Sequence, residues 1–160
     1  MNQPQELNIW SRNTPLEKVR EGIDALEASM LQGVESGDLV KRLHEGGTEE
    51  GDAQCKHYFG DGVYARSLLI PAGTAVVGRI HRQARVCIIA KGVCSFVCED
   101  HRETVEGPWI GEFKAGSKTA VFAHSDVLWI ACLGTEITDS RTAFDSLTCG
   151  SYEEYSGDDL

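Results

Sequence analysis

A chain of 160 residues with 41% hydrophobic content can close one substantial core and leaves little length for a second independent domain. Its formal net charge of −10 opposes binding to DNA or RNA, although a few arginines in one pocket can still hold a small anion. No stretch is long and apolar enough to span a bilayer, and Met1-Asn2-Gln3-Pro4-Gln5-Glu6 lacks the basic-then-apolar run of a secretory signal, so the expectation is a cytoplasmic protein with no membrane partner.

The first predicted element is a helix. Thr14-Pro15-Leu16-Glu17 supplies an N-cap hydroxyl, proline at the first helical position and a glutamate that can bond back to the cap. Leu16, Val19, Ile23, Leu26 and Met30 then recur at three- and four-residue steps, forming one apolar stripe. Two heptads are too short for a free coiled coil, so this stripe must lie on its own domain or pair with a twin in a homodimer or higher homo-oligomer. Gly46 to Asp52 reads as an acidic loop, and residues 1–52 form a helical arm.

Residues 53–138 change to short β-rich runs, at Val63 to Ile70, Thr74 to His81, Val86 to Ala90, Val93 to Cys98, Thr119 to Ala123 and Val127 to Leu133. Turns fall at Pro71-Ala72-Gly73, Lys91-Gly92, Glu99-Asp100-His101 and Ala115-Gly116-Ser117, a spacing that suits an all-β sandwich or barrel. Ala75-Val76-Val77 is apolar on both faces and needs cover outside as well as inside. Residues 139–160 form an acidic C-terminal tail, whose polar end from Ser151 to Leu160 is expected to fray.

The six cysteines (Cys55, Cys87, Cys94, Cys98, Cys132, Cys149) are expected to be thiols in a reducing compartment. Cys94 and Cys98 have three residues between them, which is neither a redox nor a zinc-knuckle spacing, and they read as small core hydrophobes.

From Pro71-Ala72-Gly73 onward the chain resembles the first cupin motif, in which Gly, His-x-His, Glu and Gly come at fixed intervals. Gly73 takes the first glycine, Arg79 and His81 the histidines, Arg85 the glutamate and Gly92 the closing glycine. The second cupin motif maps onto Lys114-Ala115-Gly116, with Thr119 at the fourth ligand position and Ala123 in place of asparagine. The resemblance implies a single cupin-type β-barrel or jelly roll behind the N-terminal helix. One histidine among four ligand positions implies no metal and no cofactor. The longer run from Leu16 to Thr138, including His57 to Arg66 and Asp126-Val127-Leu128-Trp129, is similar to small cupin-like proteins of tailed bacteriophages. That similarity implies an infected bacterial host as the location.

Strand parity places Arg79 and His81 on one face, with Arg85 opening the next strand, and places Arg66 with Tyr64 and Leu68. If that face is the interior, its guanidinium groups need a negative partner, because an isolated buried cation costs several kcal/mol. The partner is internal, from Glu99, Glu112 or Asp126, or the side chains run out to solvent, or the partner is a ligand. In the last case Arg66, Arg79 and Arg85 hold a phosphate or carboxylate in forked hydrogen bonds, His81 adds a donor, and Tyr64, Trp109 or Trp129 stacks on a ring. His57, His101 and His124 are assigned no catalytic role, and no nucleophile elbow, P-loop or His-Glu-x-x-His helix is present.

The leading functional expectation is a non-catalytic, metal-free binding protein for a small phosphate-bearing or nucleotide-like molecule, which sequesters a host defence signal. The alternatives are a cupin enzyme of isomerase, epimerase or dioxygenase type, with His81 and Tyr64 as acid and base, and a virion-associated interaction scaffold.

Overall fold

A computed structural model describes residues 15–36, 55–99 and 101–157. The Thr14 cap, the Gly46 to Asp52 loop and the last three residues of the tail lie outside the described residues.

Helix α1 spans Leu16–Ser36, and its first turn closes through the Pro15 carbonyl, which accepts from the Val19 N–H. Val19 and Ile23 are fully buried against Val97 and Ala120, with Leu26 and Val77 packed alongside. The arm therefore covers its own domain. Leu16 lies at the exposed end of the stripe, so the buried seam is shorter than the periodicity predicts.

A polar clamp holds α1 beside this seam. The Lys118 ammonium, only 3% exposed, donates to Asp24 (2.8 Å) and Glu27 (2.6 Å) of the helix. Burial opposes the charge on Lys118, but its hydrogen bonds to these two carboxylates outweigh that and raise its pKa above the ordinary lysine value.

The strands are β1 (Cys55–Gly60), β2 (Val63–Ile70), β3 (Ala75–Val77), β4 (Ile80–His81), β5 (Arg85–Lys91), β6 (Val93–Val97), β7 (Arg102–Glu106), β8 (Trp109–Phe113), β9 (Ala120–Ala123) and β10 (Val127–Gly134). They are followed by helix α2 (Ser140–Leu147), strand β11 (Thr148–Cys149) and helix α3 (Tyr152–Gly157). One sheet runs β1-β2-β10-β5-β8 and a second runs β3-β9-β6-β7, with every ladder antiparallel. Leaving aside the added edge strand β1, this order of two four-stranded sheets is that of a double Greek-key jelly roll.

The expected barrel is corrected to this sandwich, because no ladder joins the two large sheets among the described residues. Their inner faces enclose one core, in which Phe96 meets Trp109, Phe113 and Trp129 at ring-centroid distances of 5.4 to 5.8 Å. The outer face of the four-stranded sheet lies under α1. On the outer face of the five-stranded sheet, Val63, Leu69, Val86 and Ile110 are exposed.

Three departures from the sequence-based expectation bear on the site. The run Thr74 to His81 is not one strand, since it breaks at Gly78-Arg79 between β3 and β4. Strands β1, β7 and β8 are not foreseen because Arg102-Glu103-Thr104-Val105-Glu106 is almost wholly polar and Trp109-Ile110-Gly111 carries a glycine. The end expected to fray carries α3 over its described residues, and the segment before it packs on the domain. Asp139 caps α2 through the Thr142 N–H, Ala143 and Leu147 bury one face against Tyr64 and Leu133, and β11 pairs with β4. No described helix is long and apolar enough to cross a membrane.

Candidate functional site

The β1–β2 hairpin builds one wall of the site. Its turn passes through Asp61 and Gly62, where φ is +72°, a value that favours glycine. The resulting register sets Cys55 opposite Leu68, His57 opposite Arg66 and Phe59 opposite Tyr64. Because side chains alternate along a strand, all six lie on one face, and Cys55 and Leu68 identify that face as the one turned to the core.

Hydrogen bonds link these residues across the hairpin. The Tyr64 hydroxyl lies 2.8 Å from His57 Nδ1, and His57 Nε2 lies 3.7 Å from Cys55 Sγ. The Arg66 Nε–H donates to the same sulfur at 3.2 Å. Burial is the main cause that pushes the Tyr64 hydroxyl up to about 12, with Arg66 pulling the other way. Tyr64 is therefore a neutral phenol at neutral pH.

Arg85 enters from the middle of the same sheet, where it opens β5. It is 5% exposed, its Nη1 donates to Ser117 Oγ and its Nη2 to Thr119 Oγ1, both at 2.8 Å, and its guanidinium lies over the Phe113 ring. Burial draws its pKa below the ordinary arginine value, opposed by the neighbouring Cys87, Cys98 and Glu99. A guanidinium in this position still keeps its charge.

His81 sits in β4, held by backbone hydrogen bonds to Ser117 and Gly116. The residue keeps some accessible surface, but ring atom Nδ1 is buried and has no hydrogen-bond partner. Its pKa lies well below the ordinary histidine value, first because the ring is desolvated and then because Arg85 and Arg66 repel a second positive charge.

The structure thus brings Tyr64, Arg66, His81 and Arg85 to one end of the interior and leaves two expected members elsewhere. Arg79 turns out toward the C-terminal segment, where its Nε donates to Thr148 Oγ1 at 3.1 Å and its guanidinium lies over Phe144. Parity fails for it because positions 78 and 79 fall between strands. Ile80 is fully buried while Val86 faces outward, so the inward alternation holds at Arg85. Trp129 is a core residue, edge-on to Phe96 and tilted against Phe113.

The three expected carboxylates serve other partners or none of the arginines. Asp126 accepts from the Ala72 N–H, Glu99 accepts from Tyr152 and the Lys118 backbone and pairs with Arg20, and Glu112 lies on the outer face of β8. Among the described residues no carboxylate forms an ion pair with Arg66 or Arg85. Sequence alone sets His57 aside and counts Cys55 only among the six thiols. The Gly60-Asp61-Gly62 turn is the available signal, because it sets Cys55 opposite Leu68 and His57 opposite Arg66, with Tyr64 next along the same face. Among the described residues no three His, Cys, Asp or Glu side chains are grouped to hold a metal ion.

No protein-family model matches the chain, and no curated protein matches it. Among solved structures it is similar to KdgF from Halomonas sp., at 11% identity over 57% of this chain and 87% of that one, with a TM-score of 0.47. A cupin 2 domain-containing protein from Halorhodospira halophila shares 14% identity over 62% and 80%, also at 0.47. The Cnp3 cupin domain of Schizosaccharomyces pombe shares 12% over 62% and 73%, at 0.44. The fold assignment rests on the strand order.

Proposed function

We propose that the protein binds a small anion, a carboxylate or phosphate, inside a jelly roll of the kind cupins use, between Arg66, His81 and Arg85. One observation carries this reading: the buried Arg85 and the half-buried Arg66 stand on the core-facing side of one sheet without a carboxylate ion pair among the described residues. Arg85 donates to the Ser117 and Thr119 hydroxyls, with the Cys87 thiol beside it and the Glu99 charge acting on it without an ion pair, and Arg66 donates through Nε to a thiol while both its Nη groups have no acceptor among the described residues. A buried cation such as Arg85 that lacks an ion-paired counter-charge is stabilised by an anion that brings one. Arginine's planar fork suits the two-oxygen edge of a carboxylate or phosphate. His81 Nδ1 supplies a further polar atom with no internal partner.

A nucleotide is one such anion, and a nucleotide signal of a host defence system would fit the similarity to phage proteins. Base stacking on Trp129 is not part of this reading, because its ring packs among core aromatics.

Thermal-shift titration with sulfate, phosphate, small carboxylates and mononucleotides tests the site. An anion at a hundred times its dissociation constant stabilises by about 2.7 kcal/mol. That increment should vanish in Arg66→Met and shrink strongly in Arg85→Met. An increment that survives both substitutions would place the anion elsewhere.

A further inference from the structure

Cys55, His57 and Tyr64 form a chain of contacts that the anion-binding reading does not use. His57 Nε2 approaches the sulfur, and Nδ1 of the same ring meets the Tyr64 hydroxyl. A thiol, an imidazole beside it and a third group that orients the imidazole are the parts of an activated cysteine nucleophile. Arg66 adds a positive donor at the sulfur of Cys55, which is itself buried on the core-facing side of the hairpin. Burial pushes the thiols of Cys87, Cys94 and Cys149 up, and Cys94 reaches about 11.

We propose that Cys55 is a nucleophile directed at a small electrophile that itself carries a carboxylate or phosphate. The anionic half of this inference rests on the binding reading above. Arg66 connects the two, since its Nε donates to Cys55 Sγ while its charge, with that of Arg85, acts on His81. His81 Nδ1, buried without a hydrogen-bond partner among the described residues, is a further polar atom at the same end of the interior.

The step is redox-neutral. The thiol proton passes to His57 Nε2, and the sulfur lone pair forms a new S–C bond to a carbonyl carbon. The π pair of the carbonyl moves to oxygen, and the alkoxide takes the proton back from His57. The Tyr64 hydroxyl accepts the Nδ1–H of the transient imidazolium and stays protonated throughout.

Alkylation of the native protein tests both halves. It is exposed to limiting iodoacetamide or, separately, iodoacetate, and all six cysteines are read by site-resolved mass spectrometry. With either reagent the S–C bond forms as iodide leaves with its electron pair. Cys55 should react at least about tenfold faster than Cys132, which is the least buried of the six. His57→Gln should remove that advantage, and Arg66→Met should lower the iodoacetate-to-iodoacetamide rate ratio at Cys55. Cys55 reacting more slowly than Cys132 with both reagents in the unsubstituted protein would overturn the nucleophile, whatever the variants do. Fast reaction with iodoacetamide and no preference for iodoacetate would overturn the anionic substrate class. Loss of anion stabilisation in the thermal-shift titration beside fast iodoacetamide reaction would overturn the binding reading and leave the nucleophile standing.

Discussion

His81 and Thr148 stand opposite each other in the ladder that joins β4 to β11, so the C-terminal segment is hydrogen-bonded to the strand that carries the site histidine. Around that ladder Thr148 accepts from Arg79, Arg82 bonds to Glu154, and Leu147 and Ala143 pack on Tyr64 and Leu133. This segment is part of the site's wall.

A chain ending at Thr138 should therefore lose stability as well as length. It gives up the burial of Ala143, Leu147 and Cys149 and uncovers Tyr64, Leu133 and Ile80. Full burial of one large apolar side chain contributes about 1.5–3 kcal/mol, so the loss should be on the order of 4 kcal/mol in urea unfolding. An unchanged unfolding midpoint would mean that these elements add nothing to the core.

His81 should make stability depend on acidity. Its folded-state pKa is depressed, so below about pH 6.5 the unfolded chain binds a proton that the native state refuses. Stability then falls as pH drops from about 6.5, by at most about 1.4 kcal/mol per pH unit, until the folded-state pKa is reached. His81→Gln should flatten the slope between about pH 6.5 and 5 in unfolding curves. A bound anion stabilises the imidazolium, so sulfate should stabilise the unsubstituted protein more at about pH 5.5 than at about 7.5, and this difference should disappear in His81→Gln.

The clamp on α1 should respond asymmetrically. Asp24→Asn with Glu27→Gln leaves the Lys118 ammonium buried and unpaired, a loss of about 3 kcal/mol. Lys118→Met leaves two partly exposed carboxylates that water can solvate, and it should cost about 1 kcal/mol or less. Equal losses measured by urea unfolding would show that the pair, and not the buried cation, sets the energetics.

Two glycines aligned with the first cupin motif should differ in their tolerance of alanine. Gly73 has φ of +75° and open space where a β-carbon would sit, so Gly73→Ala carries only backbone strain of about 1–2 kcal/mol. Gly92 has φ of +93°, and a Cβ there would lie 2.2 Å from the Asp126 carbonyl oxygen. Because backbone must move to make room, Gly92→Ala should lower the thermal midpoint well beyond Gly73→Ala. Equal midpoints would refute the close approach.

Local periodicity by itself determined much of this protein. The three- and four-residue steps of Val19, Ile23 and Leu26 made α1 legible, and alternation along Val63 to Ile70 turned Tyr64, Arg66 and Leu68 to one face. The apolar character of Ala75-Val76-Val77 on both faces foretold an outer cover. These are properties of neighbouring residues on one element, and no distant part of the chain is needed to read them. Only the tertiary structure decided that α1 is that cover, that Arg79 leaves the interior where the strand breaks at Gly78, and that residues 139–157 close over Tyr64. The same holds for the meeting of Cys55, His57, Tyr64 and Arg66, which depends on hairpin register, and for Arg85 reaching Ser117 and Thr119 on a distant turn. Such contacts form between segments far apart in the chain, where packing and hydrogen-bond satisfaction override local preference.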